Sequence, residues 1–205
     1  MFGKIAAEAL GISDIGKIIP PKDYHKVDAD DYIFNEDDEK IYFVIKSKTD
    51  EYCFTDRALI HIDGTSAVSK KRLVRRYDYY LHPVSEVFLE TAGTIDLDVE
   101  IKFSLGGRSF SIDVNKNQLE ELKDLYKSLT AIARKMSTSK SLLDCSINSL
   151  SMTASTFNNI KIDTEVNLNE DFKALNEYIF NCMKDSREKY IVKSFSDIFD
   201  KYINN

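Results

Sequence analysis

The periodicity of this chain changes once, near residue 115, and that switch restricts the fold more than any other feature. From about residue 40 to 114 apolar residues recur at every second position, the repeat of a half-buried strand. Beyond it they recur every three or four, the repeat of a helix face. "KIYFVIKSK", "EYCFT", "ALIHID", "RLVRRYDYY", "SEVFLETA", "TIDLDVEIKFSL" and "SFSIDV" read as seven short strands. Turn signals separate them: Thr49-Asp50, Asp56-Arg57, Asp63-Gly64, His82-Pro83, Gly93 and Gly106-Gly107. The glycine pair suits the positive φ angles of a tight hairpin. The expectation is an antiparallel meander with one dry and one wet side.

The helix that follows is plugged into that meander, because a sheet dry on one face needs a second layer. Asn117 and Glu120 form an N-cap and N3 pair, and Leu119, Leu122, Leu125, Tyr126, Leu129, Ala133 and Met136 make the apolar stripe. "MSTSKS" then reads as a polar linker. Past it, Leu143, Ile147, Leu150, Ala154 and Phe157 step at helical spacing, as do Leu168, Phe172, Leu175, Ile179 and Met183, and finally Ile191, Phe195, Ile198 and Tyr202. Asp185 and Glu188 suggest a new helix start between the last two. Stripes this narrow bury well only against another helix, in the same chain or in a neighbouring copy. The division is therefore 1–136 for the strand-rich domain and 140–205 for a helical region. Ahead of the strands, residues 4–10 suit a short amphipathic helix ended by Gly11, and "NEDDEK" is a turn.

A formal net charge of −6 over 205 residues argues against a nucleic-acid binder, which carries a basic footprint. No segment holds the roughly 20 continuous apolar residues that span a bilayer. The first residues resemble a secretion signal only superficially, since Glu8 and Asp14 interrupt them. Cys53, Cys145 and Cys182 are scattered and odd in number, as reduced thiols in a cytoplasm are.

Asp96, Asp98 and Glu100 alternate along one strand, which raises the question of a metal site. Neighbours on one strand face stand about 6.5–7 Å apart, whereas ligands must converge on one point at about 2.0–2.6 Å. A solvated strand face is the reading this geometry favours. Cys53 and His61 would form a nucleophile and base only if the hairpin between them closed on three residues. A two-residue turn at Asp56-Arg57 instead pairs Tyr52 with His61 and Cys53 with Ile60, on opposite faces. "STSK" lacks the companion elements of penicillin-recognising enzymes. "LGGRSF" is no phosphate-cradling loop, and His25, His61 and His82 are too dispersed for zinc. The strongest electrostatic feature is "KKRLVRR", with Lys70, Lys71, Arg72, Arg75 and Arg76 on one strand. It suits an acidic protein surface, an anionic lipid surface, a phosphorylated ligand, or an edge strand that uses charge to prevent aggregation.

The meander with its capping helix resembles a pleckstrin-homology-type barrel. "VDADDYIFNEDDEKIYFVIKSKTDEYCFTDRALIHIDGTSAVSKKR" and "LETAGTIDLDVEIKFSLGG" are similar to the bacterial pleckstrin-homology (PH) domain family. "LNEYIF" and "SREKYIVKSFSDIFDKYIN" resemble the oligomerisation extension that follows this domain in some members. The resemblance implies an α+β fold: a PH-like antiparallel β-barrel of about seven strands, capped by a C-terminal helix and followed by a helical extension. It also implies homo-oligomeric assembly, with a ring as one form, and no established catalytic residues. Eukaryotic relatives often grip phosphoinositides through basic residues in the loop between their first two strands. "KSKTDE" offers Lys46 and Lys48 there but also Asp50 and Glu51, a departure from that pattern.

The expectation is a non-catalytic, self-assembling cytoplasmic interaction module, without cofactor or metal and without nucleic acid as partner. Lys70, Lys71, Arg72, Arg75, Arg76, Asp96, Asp98 and Glu100 are the candidate interaction surface, with Lys71, Arg72 and Arg75 of one copy meeting Asp96, Asp98 and Glu100 of the next. Leu168, Phe172, Leu175, Ile179, Ile191, Phe195, Ile198 and Tyr202 are the candidate oligomerisation residues. The alternative is peripheral attachment to anionic lipid at the inner membrane face through Lys70–Arg76.

Overall fold

A computed structural model describes residues 15–64, 72–91, 98–158 and 168–203, with the side chains of residues 157–158, 168–169 and 171–172 excluded. The amphipathic start at residues 4–10, Lys70, Lys71 and Asp96 lie outside them, as do the side chains of Leu168 and Phe172.

All seven expected strands form. They are β2 (Ile41–Lys46), β3 (Asp50–Thr55), β4 (Ala58–Gly64), β5 (Arg72–Asp78), β6 (Val84–Glu90), β7 (Asp98–Leu105) and β8 (Arg108–Asn115), preceded by a two-residue β1 (Lys17–Ile18). Neighbours are antiparallel, in a five-stranded sheet ordered β1-β2-β3-β4-β5 and a three-stranded sheet ordered β6-β7-β8. Gly106 and Gly107 turn the last hairpin with φ of 57° and 86°, as the strain on any side chain there requires. The Asp56-Arg57 turn closes on two residues, pairing Tyr52 with His61 and Cys53 with Ile60.

The two sheets meet at one corner through Gly16. Its N–H donates to the Asp113 carbonyl at 2.8 Å and its carbonyl accepts from Asn115 at 3.0 Å, while the next two residues pair with β2. A Cβ on Gly16 would stand 2.6 Å from Ile45 Cγ2 and 2.9 Å from the Asp113 carbonyl oxygen, so only glycine brings the chains this close. The sheets do not form one continuous ladder among the described residues; the architecture is PH-like with an open seam. Between them runs a chain of rings: Phe43 and Phe54 edge to face, Phe54 on Phe103, Phe103 stacked on Phe110 at 5.1 Å, and Phe110 against Tyr77. Such pairs add about 0.5–1.5 kcal/mol each beyond the area they bury.

The expectation of one wet side holds for β8, where exposed Arg108, Ser109, Ser111 and Asp113 flank buried Phe110, Ile112 and Val114. It fails for β2 to β4. Three 3-10 turns, Pro21–Lys26, Asp28–Tyr32 and Asn35–Asp37, lie over the outer face of that sheet. Val27, Ala29 and Ile33 from this strap bury against Val44, Cys53, Ile60 and Ile62. The uninterrupted "YFVI" and "LIHI" runs reflect strands dry on both faces. Buried Glu51 pins the strap, accepting the amides of Asp28 and Ala29 at 3.2 and 2.7 Å while pairing with Lys46 at 2.7 Å.

Helix α1 (Leu119–Asn158) starts after a short 3-10 turn, Lys116–Gln118, capped by Asn115, whose side chain accepts the Asn117 amide. The cap is therefore Asn115 and not Asn117. Leu122, Leu125, Leu129 and Ile132 on α1 are fully buried. The helix runs unbroken for 40 residues, so the "MSTSKS" linker does not exist. No glycine or proline occurs after Gly107, and serine or threonine on a helix face needs only solvent or the carbonyl four residues back. Helix α2 (Leu168–Tyr190) likewise passes through Asp185 and Glu188 without a break. The last helix, α3 (Ser196–Ile203), begins later, where the Phe195 carbonyl accepts the first amides.

Contacts divide the chain into two compact units, residues 1–134 with 193–205, and residues 135–192. Segment 193–203 thus packs with the strands. Asp56 clasps it: its Oδ2 accepts the Ser194 hydroxyl at 2.6 Å, and its carbonyl accepts the Phe195 amide at 2.8 Å. Phe199 stacks on Tyr42 at 5.0 Å, and Phe195 meets Tyr79 edge to face at 5.8 Å. In the second unit, α1 and α2 touch through Ser146 and Ser186, whose hydroxyls lie 2.7 Å apart.

Candidate functional site

The basic strand is β5, which has a single neighbour, β4, among the described residues and so forms an edge. Its charges are largely taken up inside the chain. Arg76 forms a two-pronged pair with Glu39, 3.0 Å on each prong, donates to Asp78 at 2.8 Å, and lies over the Phe34 ring at 4.3 Å. Glu39 also accepts the Thr55 hydroxyl and the Phe34 amide. Burial pushes the Glu39 carboxyl up, but these donors outweigh it and hold the group below its usual value. Arg75 donates to Asp63 at 3.1 Å, and Arg72, largely exposed, has Asp28 at 3.9 Å. The turn "NEDDEK" supplies the partner of its strongest arginine. That pairing was not visible in the sequence, where the two residues stand 37 apart.

The acidic strand is β7. Glu100 accepts the Ser111 hydroxyl and pairs with Lys102 at 3.1 Å; these contacts keep its carboxyl below the usual range. Asp98 sits opposite Asn115 at the strand's start. The two carboxylates are spread along one strand, as the spacing implied, and stand on a different sheet from Arg72, Arg75 and Arg76. Lys46, of the loop that grips headgroups in eukaryotic relatives, is engaged with Glu51 and lies 3.7 Å from Asp28.

Cys53 is fully buried, and burial drives its thiol far above the ordinary range. His61 faces the other side of the sheet, where it bonds Asp50 at 2.9 Å and stacks on Tyr52 at 4.4 Å. The arrangement offers no activated nucleophile.

Of the candidate oligomerisation residues, Leu175 and Ile179 are half-buried on α2, and Ile191 and Tyr202 are half-buried in the segments that follow. Phe195 and Ile198 are buried within the first unit. The helical unit exposes different residues: Leu142 and Met152 on α1, Tyr178 and Phe180 on α2, with Met152, Tyr178 and Phe180 at 72%, 66% and 65% exposure. Tyr178 and Phe180 lie about 100° to either side of the Leu175–Ile179–Met183 stripe. Large aromatic residues beside an already complete stripe were the signal that sequence reasoning passed over.

Family models match along most of the chain: "Bacterial PH domain" over residues 9–133 and "YvbH-like oligomerisation region" over residues 144–205. The chain is 53% identical over 205 residues, all of both chains, to "Uncharacterized protein YvbH" of Bacillus subtilis (strain 168). It is 30% identical over 95 residues to "Uncharacterized protein YjqA" of the same organism, covering 46% of this chain and 74% of that one. Among solved structures, a PH-domain-containing bacterial protein from Exiguobacterium sibiricum 255-15 is 47% identical, with a TM-score of 0.84 over 93% of this chain and 100% of that one.

Proposed function

The chain belongs to the bacterial PH domain family, and from that premise we propose that it is a non-catalytic interaction scaffold that assembles with copies of itself through its helical unit. The observation that carries the reading is the set of exposed side chains Leu142, Met152, Tyr178 and Phe180, in a region whose family model is one of oligomerisation. Tyr178 and Phe180 stand about 200° apart around α2, on its two flanks, and large apolar side chains left in water on both flanks of a helix favour a partner surface that covers them. Asp98, Glu100, Arg72 and Arg75 have partners or close charges within the chain and do not carry the reading. The absence of catalysis is supported by the opposed faces of Cys53 and His61.

Sedimentation velocity on the full chain at low micromolar concentration tests the proposal. The wild type should sediment as an oligomer and the double variant Tyr178→Glu/Phe180→Glu as a smaller species, with unchanged far-ultraviolet circular dichroism. A wild-type monomer at tens of micromolar ends the self-assembly reading.

A further inference from the structure

The first unit contains a cavity of about 380 Å³, within the 300–1,000 Å³ range of small-ligand sites. Pro20, Pro21, Tyr24, Tyr42 and Phe43 form its apolar walls, Ile203 of α3 closes one side, and Gln118, Glu121 and Asp124 at the start of α1 supply its polar edge.

Most polar groups around it are already committed. The Gln118 amide is spent on Ile18, accepting its N–H at 2.8 Å and donating to its carbonyl at 3.1 Å. The Tyr24 hydroxyl donates to the Tyr42 carbonyl at 2.9 Å. The Tyr42 phenol, pushed up to about 12 by burial and by its hydrogen bond to Asp200, stays neutral and turned to that carboxylate. The cavity therefore offers an incoming anion little beyond the partial positive charge of the α1 start, which Glu120 and Glu121 in its first turn offset.

A cation finds the opposite. Glu121 is exposed and pairs with no Lys or Arg among the described residues. Among the described residues the Asp124 carboxylate pairs with Lys127, a solvent-exposed neighbour three residues on.

We propose that this cavity binds an organic ammonium ion carried on an aliphatic stem, the stem lying on Pro20, Pro21 and Phe43 and the charge meeting Glu121 and Asp124. Two sources share that chemistry, a free alkylamine and a lysine side chain of a protein. The proposal stands apart from self-assembly, since its residues lie in the first unit.

The test titrates the full-length protein, at fixed concentration, with n-hexylammonium, n-hexanoate and n-hexanol, followed by two-dimensional amide NMR. Hexylammonium should bind saturably and shift the resonances of Ile19, Tyr24 and Phe43, with hexanoate and hexanol weaker by fivefold or more. Glu121→Gln and Asp124→Asn, both at the solvent edge, should each weaken hexylammonium about fivefold, the worth of an exposed ion pair of ~1 kcal/mol, and leave the rest of the spectrum in place. Tighter binding of a lysyl peptide than of hexylammonium assigns the site to a protein lysine, and the reverse to a free amine. Equal binding of the three hexyl probes, no saturation by 10 mM, or carboxylate variants that bind hexylammonium like the wild type would overturn the proposal.

Discussion

Phe199 gives the sharpest test of where the C-terminal segment belongs. Its ring has no exposed surface, stacks on Tyr42 at 5.0 Å with 16° between planes, and lies 6.5 Å from Tyr79. Phe199→Ala removes the ring and leaves a cavity beneath α3, which for buried phenylalanine costs about 3–5 kcal/mol. With a urea dependence of about 2 kcal/mol per molar for a chain of this size, the unfolding midpoint should fall by about 1.5–2.5 M. Phe88→Ala is the matched control: the same substitution on β6, at a ring 59% exposed and outside the proposed assembly surface, should cost no more than about 0.5 kcal/mol. Both are measured by circular dichroism at one fixed protein concentration, because assembly shifts apparent stability by mass action. If Phe199→Ala costs under 1 kcal/mol, or Phe88→Ala costs as much as it, then the last helix is no part of the strand domain's core and the clasp at Asp56 is incidental.

Three further outcomes follow from the same geometry. Glu39 has a folded-state carboxyl held below its usual 4.5, so its stabilisation is complete above that pH and is lost as pH falls through the lower folded value. Glu39→Gln should therefore cost about 1.5–3 kcal/mol at pH 7 and flatten the loss of stability between pH 5 and 3, read from urea midpoints at each pH. Gly16→Ala should cost about 1–3 kcal/mol, because its Cβ meets Ile45 and the Asp113 carbonyl; a neutral thermal shift would show that the corner between sheets is looser than drawn. With a thiol-reactive dye, exposed Cys145 should label quickly in the native protein and buried Cys53 only on unfolding; rapid native labelling of Cys53 by mass mapping would contradict the strap over its sheet face.

Local chemistry was enough to place the strands, because each rests on neighbours a few residues away. The alternation of Phe110, Ile112 and Val114, the glycine pair at 106–107 and the two-residue turn at Asp56-Arg57 each carried their own instruction. Helix boundaries were less legible: polar "MSTSKS" looked like a linker, yet nothing in it stops a helix, and a polar stretch on a solvated helix face looks the same as a loop. The candidate surfaces were legible as charge but not as availability, since Arg76 looked free until Glu39 was found beside it.

What the sequence determined by itself is the order of seven strands followed by helices, and the apolar face that the strands share with the first of them. Three matters were settled only in the folded molecule: that 3-10 turns cover the outer face of β2 to β4, that the arginines of β5 are largely taken up by acidic residues of the same chain, and that α3 returns to the strand domain. Each depends on groups distant in the chain, up to 138 residues for Ser194 and Asp56. Periodicity reports which side of an element is apolar; which partner covers that side is decided by the competition among all surfaces of the compact chain.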